Sequence, residues 1–156
     1  MSYFNLEKKI EFLKKWFEKK EKLAMRYFEK QKEKSKPYVK AGDIYHADLG
    51  VNIGDEIDKS RPVLIFQGND YYLRNSNLVF VIPITSNTQS KPYRINFNDH
   101  DLIINEGLSE GTILIQQARA ISKTRLLDFR GRLNEKKMLE IGDMFIEFIT
   151  KNTPHI

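Results

Sequence analysis

Apolar positions follow two different rhythms along this 156-residue chain. In the first 34 residues they recur every three or four positions, at Leu6, Ile10, Leu13 and Phe17 and again at Ala24 and Phe28, with neither Gly nor Pro between Phe4 and Lys34. That is the helical period, and it predicts a helix over 4–34, about 45 Å long at 1.5 Å per residue. Phe12, Trp16, Leu23 and Tyr27 widen the apolar arc beyond a coiled-coil seam, so the helix is expected to be packed against a surface by its Leu6, Ile10, Leu13, Phe17 face. Glu11 with Lys15 and Glu18 with Lys22 form i,i+4 pairs, and the lysines read as the solvated side. Ser35-Lys36-Pro37 ends the helix, and a short linker leads to Gly42.

Beyond Gly42 the pattern becomes one of short apolar runs bounded by Asn, Asp, Ser and Gly. Gly42 to Leu49, Pro62 to Gln67, Leu78 to Thr85, Tyr93 to Phe97 and Thr112 to Ile121 are five strand candidates, which together predict an antiparallel, barrel-like core. A second helix follows. Asn134 is a good N-cap, Leu133 and Met138 are placed as a hydrophobic staple, and Met138, Ile141, Phe145 and Phe148 mark one core-facing stripe.

Composition narrows the class. The apolar and aromatic content suits one globular domain, and the absence of cysteine excludes disulfides, thiol catalysis and cysteine-based zinc sites. The N-terminus runs straight into charged residues and no apolar stretch reaches 18 residues, so a soluble, cytoplasmic protein without membrane contact is expected. The net charge of +5 is unevenly spread: residues 1–36 hold 12 basic and 6 acidic side chains, the remainder 14 and 15. The domain after the helix is close to neutral, and any grip on a polyanion there must come from clustered arginines.

Candidate chemistry gathers at strand ends. In Gly54-Asp55-Glu56-Ile57-Asp58-Lys59-Ser60-Arg61-Pro62-Val63-Leu64-Ile65-Phe66, a polar loop delivers Arg61 onto an apolar strand. Pro62 biases Arg61 toward extended geometry and belongs at a strand start or edge, and the planar guanidinium can hold a phosphodiester through two N–H groups. A solvated surface arginine fits the same local sequence. Leu78 to Ile84 is a buried-strand run that stops abruptly at Thr85, Ser86 and Asn87. Thr112 to Ile121 carries Gln116, Gln117 and Arg119, and the two-residue period places Gln117 and Arg119 on one face. His46, His100 and His155 are scattered, so neither a metal site nor a histidine acid/base pair is suggested.

From Ala41 to Phe148 the chain resembles the MazF/PemK (Kid-like) toxins of type II toxin–antitoxin systems. The elements that carry the resemblance come in order: Gly42-Asp43-Ile44-Tyr45 with Ala47-Asp48-Leu49, then Gly54, Glu56 and Arg61-Pro62-Val63-Leu64, then Pro83-Ile84-Thr85-Ser86, then Gln116-Gln117-Ala118-Arg119-Ala120-Ile121. It implies a mainly β fold with α elements, a small antiparallel SH3-like barrel of MazF/CcdB type closed by a C-terminal helix, with a short helical turn over Leu126 to Phe129. The long amphipathic helix precedes this barrel and is not explained by the family, so residues 1–38 are expected to be an extension and 39–156 the toxin domain. The helix can pair with a symmetry mate, cover part of the domain, or fill a groove where an antitoxin would bind.

The implied activity is metal-independent, sequence-selective cleavage of single-stranded RNA, without a cofactor, leaving 2′,3′-cyclic phosphate and 5′-hydroxyl ends. The implied partners are RNA, a cognate antitoxin and a second copy of the chain. Arg61 and Thr85 match catalytic positions. Glu56, Ser86, Arg94, Gln117 and Arg119 are the candidate substrate contacts, with Glu56 able to orient the guanidinium or hold a base edge. Arg94 stands where several relatives carry a histidine. Leu114 and Gln116 stand where Kid-like enzymes place an arginine and an aspartate, which leaves the Kid-like acid/base scheme without its residues. Two other readings share the fold: a non-catalytic CcdB-like toxin that binds gyrase, and a weakly active relative in which the helix makes an interaction or regulatory module.

Overall fold

The computed structural model describes residues 3–31 and 38–151. Helix α1 (Tyr3–Gln31) is followed by β1 (Asp43–Asp48), β2 (Ser60–Ile65), the short helix α2 (Asp70–Asn75), β3 (Leu78–Thr85), β4 (Arg94–Phe97), β5 (Leu102–Asn105), β6 (Gly111–Leu114), β7 (Arg119–Ser122), β8 (Leu126–Leu133) and α3 (Glu135–Thr150). The proposed helix stop at Ser35 to Pro37, the start of the linker and His155 lie outside the described residues.

All strand pairs are antiparallel, and the sheet runs β4-β6-β3-β2-β1-β8-β5, with β7 also paired to β3. Strand β3 therefore has two partners on one side: β7 along Leu78–Val81 and β6 at Ile84–Thr85. Pro83 falls between them, where its missing N–H leaves no ladder bond unmade on that side. Pro62 has the same excuse, because β2 meets β3 only from Val63 onward.

The sheet is buried on both faces, which is why its strands read as unbroken apolar runs. Val63, Ile65, Val79 and Val81 join one cluster with Val39, Leu73 and Leu126. Leu64, Ile82 and Ile84 join the other, with Ile113, Leu133 and Ile141, and Phe145 of α3 sets its ring edge-on to Phe66 and Phe80. The N-cap of α3 is as expected: the Asn134 side chain accepts the Lys137 N–H at 2.8 Å, and Leu133 and Met138 share the second cluster.

The structure corrects three expectations. The segment Thr112 to Ile121 is not one strand: a 3₁₀ turn at Ile115–Gln117 splits it into β6 and β7, so that one stretch of chain reaches β3 twice. Gln117 therefore lies in a turn and does not share a strand face with Arg119. No helical turn occupies Leu126 to Phe129, which belongs to β8; the turn sits earlier, at Lys123–Arg125, capped by Ser122. Helix α1 also does not pack through the predicted face, since Leu6 is 53 % and Phe17 70 % exposed, with Ile10 and Leu13 exposed beside them. It docks through the adjacent arc of Lys9, Trp16, Leu23 and Tyr27, each half-buried.

The reason is the shape of the receiving surface. Gly50, at φ +87°, has no side chain where the Trp16 ring lies, and a Cβ there would sit 2.7 Å from it. Arg125 covers the Trp16 ring from 5.8 Å and donates to the Asp48 carbonyl at 3.0 Å. Its guanidinium is held below the ordinary arginine pKa by burial and by neighbouring Arg119, with Asp48 acting in the opposite sense. Lys9 closes the contact with an ion pair to Asp58 at 2.9 Å.

Candidate active site

The site is built on the loop between β1 and β2. Its neck is closed by two backbone bonds, Leu49 N–H to the Lys59 carbonyl at 3.0 Å and Lys59 N–H to the Gly50 carbonyl at 2.7 Å. Lys59 takes left-handed backbone geometry, φ 69°, a strained state for a non-glycine residue that costs on the order of 1–3 kcal/mol and persists only where surroundings enforce it. The loop interior is tied by Asn52, whose amide donates to the Leu49 and Ile57 carbonyls at 3.1 and 2.7 Å. Gln117 braces it from the other side, accepting the Ile57 N–H at 3.2 Å and donating to the Asp55 carbonyl at 2.8 Å.

This loop delivers Arg61 onto β2, opposite Ala47 of β1. Its Nε donates to the Asp58 carbonyl at 2.8 Å, which holds the side chain at the cavity it lines. Val63 pairs with Pro83, and beyond that last pair Arg61 and Thr85 line one cavity. Thr85 Oγ1 accepts the Asn87 N–H at 3.3 Å. One lone pair is thereby occupied, and the hydroxyl proton is left to donate elsewhere.

Arg61 and Thr85 line a cavity of about 250 Å³ together with Arg94 and Gln117. Arg94 opens β4 opposite Leu114, and its Nη1 is buried without a hydrogen-bond partner. A buried donor left unpaired is costly, and the positive charge of the Arg94 side chain favours an anion in the cavity it lines. On one side the cavity adjoins a space of about 310 Å³ shared by Arg61, Thr85 and Ser86. On the other it adjoins one of about 450 Å³ lined by Tyr93, Arg94 and Gln116.

The remaining candidates fall differently. Glu56 lines the Arg61 cavity, but its carboxylate turns back to the Ile53 N–H at 3.4 Å, and the guanidinium is oriented by the Asp58 carbonyl instead. Ser86 is exposed at the rim. Arg119, on β7 opposite Val81, stands beside Arg125 and does not line the three cavities at Arg61 and Arg94. Sequence reasoning missed Asp58, whose contribution is a main-chain oxygen. It also missed Tyr93, whose positive φ of 59° at the head of β4 is invisible in its side-chain type.

Comparison with known proteins agrees with this geometry. The family described as PemK-like, MazF-like toxin of type II toxin-antitoxin system matches residues 40–149. The endoribonuclease EndoA of Bacillus subtilis (strain 168) is 33% identical over 107 residues, covering 67% of this chain and 89% of that protein. Among solved structures, MazF from Deinococcus radiodurans superposes with a TM-score of 0.63 at 18% identity, over 74% of this chain and 100% of the other. A mycobacterial endoribonuclease in complex with its cognate antitoxin gives 0.58 at 18% identity, over 74% and 99%. Helix α1 lies outside the family match. With a half-barrel of antiparallel strands, Arg61 and Thr85 on neighbouring strands and a family match over most of its length, the chain belongs to the PemK-like, MazF-like toxins of type II toxin–antitoxin systems.

Proposed function

We propose that this chain is a metal-independent, sequence-selective endoribonuclease that cleaves single-stranded RNA in the cytoplasm and is neutralised by a cognate antitoxin. Residues 39–156 form the toxin domain and residues 1–38 an extension that the family does not include. The observation that carries this reading is the meeting of Arg61, Thr85 and Arg94 in one cavity. Two guanidinium groups and a hydroxyl donor suit a phosphodiester in which negative charge builds up; of the three acidic residues that also line the cavity, Asp55, Glu56 and Asp58, the Glu56 carboxylate turns back to the Ile53 N–H and that of Asp58 pairs with Lys9.

In the reaction the ribose 2′-oxygen attacks phosphorus and loses its proton. The bond to the departing 5′-oxygen breaks, and that oxygen takes a proton, leaving a 2′,3′-cyclic phosphate and a 5′-hydroxyl. Arg61, a planar cation with donors and no acceptor, holds the phosphate and stabilises the pentacoordinate charge. Thr85 donates its hydroxyl proton to a non-bridging oxygen, and Arg94 supplies a second cationic contact. Leu114 borders the cavity without a titratable group and takes no part in proton transfer. Gln117, with both ends of its amide engaged by the loop, braces the segment that carries Arg61.

The test is incubation of the pure protein with long mixed-sequence RNA in EDTA, followed by mapping of cut sites and ends. Cleavage at a short repeated word with 5′-hydroxyl ends is expected. Intact RNA at high excess of folded protein would overturn the reading in favour of a binding-only toxin. The chain is also proposed to pair with a second copy, which would cover the exposed apolar line of Leu139, Ile146 and Ile149 on α3. Light scattering should give a dimer at micromolar concentration, and a monomer would refute the pairing.

A further inference from the structure

Neighbouring cavities around the site share lining residues in a row, and the last of the row lies against α1. Arg94 and Gln117 line both the Tyr93 cavity and the Arg61 cavity, while Arg61 and Thr85 also line the space at Ser86. Lys59 and Ser60 are shared in turn between that space and a fourth, of about 300 Å³, enclosed between α1 and the 50–59 loop. The fourth has a different chemistry. Phe12 and Trp16 give it an aromatic wall, and Lys15, Lys19 and Lys59 stand around it.

Its acids are Asp48 and Asp58. Asp58 is neutralised by Lys9 and Lys15 is paired with Glu11, whereas Lys19 and Lys59 have no ion-pair partner among the described residues. Aromatic surface beside unpaired ammonium groups is the combination an unstacked nucleotide needs, with the base on the ring and the phosphate on the lysine.

We propose that this groove is a second RNA subsite, rests on the ribonuclease reading above, and extends the substrate path beyond the cleavage cavity. A nucleotide flanking the cut word passes Lys59 and stacks against Phe12 and Trp16, with its phosphate at Lys19. The Lys9–Asp58 ion pair and the seating of Trp16 on Gly50 hold the two walls of the groove together. Charge favours a polyanion here over another copy of α1, since residues 1–36 carry twice as many basic as acidic side chains.

Trp16 is the only tryptophan in the chain, so its emission reports on this groove. The probe is an oligonucleotide of the mapped cut word, made uncleavable by 2′-O-methylation at the attacking ribose. It is compared with and without a tail of about four nucleotides at either end, within the span that one single-strand site covers. A tail on one end is expected to tighten binding about tenfold, the usual worth of a stacked base, and to change Trp16 emission. Phe12→Ala should abolish the tail's gain. Lys19→Glu should reduce it and lower the salt dependence of tailed binding by about 0.7 in log–log slope. Both side chains are exposed, so circular dichroism should show folded variants.

If tails add nothing and Trp16 does not respond while the protein still cuts its word, the subsite is refuted and the ribonuclease reading stands. If no cut word exists and no RNA binds, both fall. Emission that responds only to protein concentration or to an added antitoxin would overturn the subsite and assign the groove to a protein contact.

Discussion

Gln117 offers the sharpest separation between two roles, since an amide at this position can either read a base or brace a loop. In the structure it spends its acceptor on the Ile57 N–H and its donor on the Asp55 carbonyl. Each such bond is worth about 0.5–1.5 kcal/mol net, so Gln117→Ala should weaken the closed loop by about 1–3 kcal/mol. Asn52 and the neck bonds at Leu49 and Lys59 remain, and the protein should stay folded. Converted to rate through the fraction of molecules with Arg61 in place, the loss is at most about a hundredfold in kcat. Gln117→Glu can still accept from Ile57 but faces the Asp55 carbonyl with a second acceptor, so it should cost about as much. The assay is cleavage of long RNA with sequencing of the cut sites, alongside hydrogen exchange of the Ile57 amide. Slower cutting at an unchanged word, with faster Ile57 exchange, is expected. A changed word at undiminished rate would refute the brace and make Gln117 a base reader.

The other expectations follow from single contacts. Arg61→Ala should lower kcat by about a hundred- to thousandfold, the usual worth of a charge-stabilising donor, with unchanged circular dichroism; Arg61→Lys should also fail, because an ammonium cannot serve the Asp58 carbonyl and a phosphate as a fork does. Asn134→Ala removes the N-cap of α3 and should cost about 1 kcal/mol, a fall of about 2–4 °C in Tm by thermal melting. Burial, and secondarily Asp43, raises the Tyr45 pKa against an opposing effect of Arg132. Its contribution to stability is therefore full below about pH 10 and is lost as pH rises through the higher folded value. Tyr45→Phe keeps the ring on Phe129 and should flatten the decline in Tm above that pH, and an unchanged decline would refute the assignment.

Much of the barrel was legible because burial on both faces writes strands as apolar runs; β3 was delimited residue for residue. Elements with weak burial were not. β5 is four residues long with Ile103 63 % exposed, and α2 has six residues, too few to display a helical period. The break between β6 and β7 depends on where β3 exchanges neighbours, which no local pattern encodes. The face by which α1 docks was misjudged for a similar reason: a stripe of aliphatic residues marks what can be buried, but Gly50 and Arg125, far along the chain, decide what is. In the site, Arg61 and Thr85 were marked by their types at strand ends and Arg94 by the family resemblance, whereas the Gln117 brace was settled by tertiary contact and the Asp58 carbonyl by the bend of a loop whose side chains do not encode it.

That orienting contact has an evolutionary consequence. Arg61 is aimed by the main-chain oxygen of Asp58, a partner that every amino acid possesses, so no side-chain replacement at that position removes it. Position 58 can therefore change identity while Arg61 keeps its aim, and the Asp58 side chain is left to serve helix α1, as it does in the ion pair with Lys9. One residue thus serves two structures with different atoms, its carbonyl fixing the arginine and its carboxylate fixing the helix, and the second contact can be lost without disturbing the first.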